Sequence, residues 1–78
     1  MKLKILSLKG IDFEGEAKGI NLKTTAGEIT VLDHHLPLIS VLEKGRAIIF
    51  TEGSKKEMPI NSGFLEVEPG NRATLLIN

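Results

Sequence analysis

Short apolar and polar runs alternate along this chain, and Gly, Pro and Asn separate them at close intervals. Residues 2–9 start with Leu3 and Ile5 against Lys2 and Lys4. The phase then slips to Leu6 and Leu8, which predicts a bulge or twist near Leu6. Gly10-Ile11-Asp12 reads as a turn. Residues 13–24 alternate loosely, with Phe13, Ala17, Ile20 and Leu22 apolar and Gly15 and Gly19 marking bends. Thr25–Glu28 reads as a turn before Ile29–Leu32. Leu36–Leu42 is the most apolar stretch, and Pro37 with Gly45 gives it the ends of a short helix. Its shortness, with Ile39 and Val41, favours a strand. Arg46–Glu52 is a strand with apolar residues on both faces, followed by a hairpin loop at Gly53–Lys56. Phe64–Glu68 and Arg72–Ile77 alternate about Pro69-Gly70-Asn71, the clearest hairpin in the chain.

The expectation is therefore all-β, with no helical stripe anywhere. At 78 residues the chain makes one small domain, with a thin core and no disulfide to reinforce it. Its 10 Lys+Arg balance 10 Asp+Glu, and the two halves carry equal numbers of each. A broad electrostatic grip on nucleic acid or anionic lipid needs a basic surplus that is missing here. Without cysteine there is no thiolate zinc site and no thiol nucleophile. No apolar run approaches the roughly 20 residues that span a bilayer. The first residues lack the apolar stretch of a secretory signal, so a cytoplasmic setting is the expectation.

Few residues could carry chemistry. Asp33, His34 and His35 are adjacent, but neighbouring strand residues face opposite ways, and a zinc site wants three or four ligands. A polar loop is the plainer reading, and a small metal-dependent enzyme is disfavoured. Glu14 with Glu16, and Glu66 with Glu68, alternate with smaller or apolar residues, the pattern of a solvated outer face. No phosphate-cradling loop and no hydrolase elbow is present. All three Phe fall where the pattern puts core, which leaves an oligonucleotide-binding barrel without exposed aromatics. Pattern alone reaches a small β binding or assembly module.

Three segments go further. Thr25–Leu42 resembles the central signature of the epsilon chain of rotary ATP synthases. Asn61–Asn71 is similar to a Gly-Phe-Leu-Glu-Val strand and turn of that family, and Phe13–Glu16 to its early Phe-x-Gly-Glu element. Order and spacing agree over essentially the whole chain. The resemblance implies a flattened two-sheet sandwich of about eight to ten short, mostly antiparallel strands over residues 1–78. Members of that family usually continue with two C-terminal helices, and in departing from them residues 1–78 are expected to hold no C-terminal helical domain. It implies a non-catalytic rotor-stalk subunit that binds the gamma chain and rests on the c-ring, with no cofactor, no nucleic acid and no insertion into the membrane. The place it implies is the cytoplasmic face of the cell membrane. Glu28 and His35 correspond to ring-facing residues, and Asp33, standing with His34 where the family has Pro-Gly, adds a charge beside them. Ile39 and Val41, or Ile48 and Phe50, are the candidate gamma-facing residues, with simple core packing as the alternative. A free-standing β-barrel binding module is the competing reading.

Overall fold

The computed structural model describes residues 1–78. Nine strands form: β1 (Lys2–Ser7), β2 (Gly10–Glu16), β3 (Gly19–Thr24), β4 (Gly27–Leu32), β5 (Leu38–Leu42), β6 (Gly45–Thr51), β7 (Ser54–Ile60), β8 (Gly63–Glu68) and β9 (Arg72–Ile77). They make one curled sheet that folds over into two layers. The first layer runs β2-β1-β9-β8-β5 and the second β4-β3-β6-β7. The corner is narrow: β3 meets β5 in register only at Thr24 opposite Leu42. All pairings are antiparallel except β1 with β9. The two-sheet, all-β expectation holds.

Strand alternation builds the core. Leu3, Ile5, Leu65, Val67, Ala73 and Leu75 point inward from the first layer. Ile20, Leu22, Val31, Ala47, Ile49 and Ile60 meet them from the second. Thr24 is the buried polar residue. Its Oγ1 donates to the Gly27 carbonyl at 2.7 Å and accepts from the Ala26 amide at 3.2 Å, which satisfies it and closes the β3–β4 turn. At the open mouth, the Lys56 ammonium lies 5.8 Å from the Phe13 ring centroid, across the gap between the layers.

Several boundaries differ from the pattern reading, each for a local reason. The bulge falls where expected, between Ile5 and Leu6, but the first turn is Leu8-Lys9 and Gly10 already belongs to β2. Residues 13–24 break at Ala17-Lys18, where the chain crosses between layers. The Ala17 amide donates to Met1 in the first layer at 2.9 Å, and the next amide, Lys18, donates to Phe50 in the second at 2.7 Å. Ser54–Lys56 pairs with β6 instead of looping, so the turn is Glu52-Gly53. Leu36–Leu42 is extended as expected, yet only Leu38–Leu42 pairs. Placing all three Phe in the core is the main error. Phe64 is 55% exposed, because its strand neighbour Leu65 takes the inward position. Phe13 is half-buried and packs against the core as expected, whereas Phe50 is half-buried outside it.

Candidate partner-docking surface

The outer face of the first layer changes character along the strands. Read across the strands in register, Ile11, Leu6, Leu76, Phe64 and Val41 fall in one row. All are exposed except Leu6, which is half-buried, and Ile39 lies beside the row at 75% exposure. The next row is Glu14, Lys4, Thr74, Glu66 and Ile39, and the last is Glu16, Lys2, Arg72 and Glu68. One end of the face is apolar and the other carries alternating charge. Lys4 pairs with Glu14 at 3.5 Å, and Arg72 Nη2 lies 3.9 Å from Glu68. These cations are held by neighbouring carboxylates, unlike a face built to track phosphates.

The sequence-predicted gamma-facing residues divide between two surfaces. Ile39 and Val41 lie on the apolar face just described. Ile48 and Phe50 are half-buried on the outer side of the second layer. There Phe50 and Leu32 flank Gly19, and Leu32 leans so far over it that a Cβ on Gly19 would come within 2.9 Å of the Leu32 Cδ2. Beside Ile48 the row is polar, with Asn21, Thr30 and Glu57. Leu6, Ile11, Phe64 and Leu76 were missed by the pattern reading.

The ring-facing candidates are likewise separated. Glu28 lies near the start of β4 and accepts from Asn21 Nδ2 at 3.1 Å, while His35 lies beyond the strand's last residue, Leu32, which is itself roughly 13 Å from Glu28 along the strand. Both are exposed. His35 Nδ1 sits 2.7 Å from the Leu36 carbonyl. Asp33 is engaged internally. Its Oδ1 accepts from the Met1 ammonium, and at 3.4 Å from Asn71 Nδ2. The same ammonium donates to the Ala17 carbonyl at 2.7 Å and lies 3.5 Å from Glu16. His34 adopts a positive φ of 62°, and its amide donates to Asn71 Oδ1 at 2.7 Å. Asp33 and Asn71 thus tie the loop after β4 to Met1 and the β8–β9 turn. No group of three His, Cys, Asp or Glu side chains that could hold a metal ion forms in the structure.

The hydrogen bond from the Met1 ammonium holds the Asp33 carboxyl below the ordinary carboxylate range; desolvation partly opposes it and the Asn71 amide reinforces it. A lowered native value stabilises the fold above the unfolded value near 3.8, and that contribution is lost as pH falls through the native value. The melting temperature of the wild-type protein is therefore expected to fall more steeply below about pH 4 than that of Asp33→Asn. Parallel acid limbs in thermal melts would contradict this.

The whole chain, residues 1–78, matches the family model for the ATP synthase delta/epsilon chain β-sandwich domain. The chain belongs to this family. It is 32% identical over 75 residues to the ATP synthase epsilon chain of Shouchella clausii, covering 96% of this chain and 56% of that one. With the epsilon chain of Clostridium novyi the identity is 40% over 67 residues, covering 85% and 51%. This epsilon-type domain spans about half the length of the curated relatives it matches. Its fold is that of a chain in the Euglena gracilis mitochondrial ATP synthase, with a TM-score of 0.92 at 23% identity over 99% of this chain and 49% of that one. A chain in the central stalk and c-ring structure of the Tetrahymena thermophila enzyme superposes with a TM-score of 0.86 at 13% identity, covering 99% and 62%. No helix is long and apolar enough to cross a membrane.

Proposed function

We propose that this domain is a non-catalytic element of the central rotor stalk of a proton- or sodium-translocating ATP synthase. It links the gamma chain to the c-ring, at the cytoplasmic face of the membrane and without entering it. No residue of the domain transforms a substrate, and no cofactor is needed. The observation that carries this reading is the transverse apolar row from Ile11 to Val41, together with family membership. Exposed apolar side chains gathered on one side of a small sandwich are a docking surface, because a solvated face gains nothing from them. Gamma docks on this face, where Ile39 and Val41 already lie. Ile48 and Phe50 support the second layer and remain outside the contact.

The ring then meets the strand β4. It pairs only with β3, so its other edge is free, and Glu28 and His35 stand at its two ends. A contact that uses both residues runs along the strand instead of meeting it end-on. Asp33 lies close by, but its partners are Met1 and Asn71, and its part is to hold the loop that carries His35.

The purified chain is expected to co-purify with gamma. The double replacement Glu28→Ala and His35→Ala is expected to weaken association of the gamma–epsilon unit with the c-ring while moving the melting temperature by no more than a few degrees, since both side chains are exposed. Absence of affinity between the wild-type chain and gamma would remove this reading. A large loss of melting temperature in the double variant would make Glu28 and His35 structural.

A further inference from the structure

Beside the apolar row stands a carboxylate without a partner. Glu66 lies on the outer side of β8, opposite Ile39 on β5 and Thr74 on β9. Its carboxylate takes part in none of the ion pairs or side-chain hydrogen bonds of the structure, although it is exposed. The nearest cations on this face are Arg72, diagonal to it on β9, and Lys4, two strands away at about 9–10 Å; Arg72 lies 3.9 Å from Glu68 and Lys4 is held by Glu14. Glu66 also rims a shallow hollow of about 170 Å³, floored by Leu65 and Thr74 and walled by Ile39, Phe64 and Leu76. The hollow is thus apolar along its length, aromatic on one wall and negative at one end.

Those properties select an occupant. A purely apolar side chain would fill the hollow but strip water from Glu66 without replacing it, which costs free energy. An acidic one would be repelled. A long basic side chain satisfies every wall, with its methylenes over Ile39 and Leu76, its cation against the Phe64 ring and its N–H groups on the carboxylate. Arginine, enriched at interface centres and able to make two parallel bonds to a carboxylate, fits best. We propose that the gamma-type partner anchors on this domain through a basic side chain seated in the Ile39–Phe64–Leu76 hollow and paired with Glu66. This rests on the gamma-docking reading above and names the chemistry of its anchor. It also sets the partner's register, since the neighbouring row from Ile11 to Val41 is uncharged and tolerates sliding.

The test is titration of purified gamma chain with the wild-type protein, Glu66→Gln and Glu66→Lys, each across a salt series, with thermal melts of all three. Glu66→Gln keeps the shape of the hollow and removes the charge. It is expected to weaken binding about tenfold at low salt, by a factor that shrinks as salt rises, and Glu66→Lys more strongly. Melts are expected to coincide, because Glu66 is exposed and unpaired. Equal affinity and equal salt dependence for wild type and Glu66→Gln would overturn the anchor while leaving gamma docking intact. Failure of the wild-type chain to bind gamma would instead overturn the docking itself. A dimer of the isolated chain that dissociates on Phe64→Ala, seen by sedimentation, would also overturn the proposal, by showing that a second copy covers the hollow.

Discussion

Leu65→Ala is expected to destabilise the domain by about 2–5 kcal/mol, whereas Phe64→Ala, one residue earlier, is expected to change stability by only about 0.5 kcal/mol. Leu65 has no exposed surface and sits in the middle of β8, so truncation leaves a cavity beside its cross-strand neighbour Leu75 in a core of few residues. A small domain has only about 5 kcal/mol to lose, so the Leu65 variant should melt far earlier than the wild type. Phe64 is more than half exposed and its ring leaves little behind. Its removal should appear in partner binding, where a central aromatic is worth more than about 2 kcal/mol. Denaturant melts and gamma titrations of the two variants give crossed results on this account. A Phe64→Ala protein that melts early and binds normally would mean that the apolar row serves the fold and not a partner.

Gly63→Ala is expected to be as damaging as any core truncation, although it adds a single methyl group at a half-buried position. Gly63 opens β8 with a φ of +151°, and a Cβ there would stand 2.1 Å from the Leu76 carbonyl oxygen and 3.0 Å from the Ile77 Cα. Both are backbone atoms of the neighbouring strand, so no rotamer change relieves the overlap, and β9 must move away from β8. Backbone strain of about 1–2 kcal/mol and overpacking of about 1–3 kcal/mol combine there. Gly70→Ala provides the control. Its φ is +87°, but nothing lies within 4 Å of the added Cβ, so only the conformational part of the penalty, about 1–2 kcal/mol, applies. Similar melting temperatures for the two alanine variants would show that the clash is absorbed by the sheet.

Much of the fold was legible because strand alternation and turn chemistry act locally. The β8–β9 hairpin, the bulge after Ile5 and the extended state of Leu38–Leu42 all follow from residues within a few positions of one another. The break at Ala17-Lys18 was not legible. It exists because two consecutive amides find acceptors in different layers, Met1 and Phe50, which lie far away in sequence. The docking face was half legible. Ile5-Leu6, Val41-Leu42, Phe64-Leu65 and Leu75-Leu76 are adjacent apolar pairs in which alternation must turn one residue inward and one outward. Such pairs on four strands signal a sheet that is apolar on both sides. Treating every Phe as core hid that signal at Phe64. Pattern also could not show that these strands are neighbours, since β1 reaches β8 only through β9, so the row across them appears only in three dimensions. Asp33 looked available because its partner, the Met1 ammonium, is distant in sequence.

The parallel pairing of β1 with β9 also governs when the domain can come into being. On the ribosome β1 waits for β9, made roughly 70 residues later, before the layer containing both can close. Until then the nascent chain offers bare edges of β1 and β8 together, the state most exposed to proteases and to mispairing with other chains. Loss of β9 alone should therefore leave an aggregating fragment and not a smaller version of the fold.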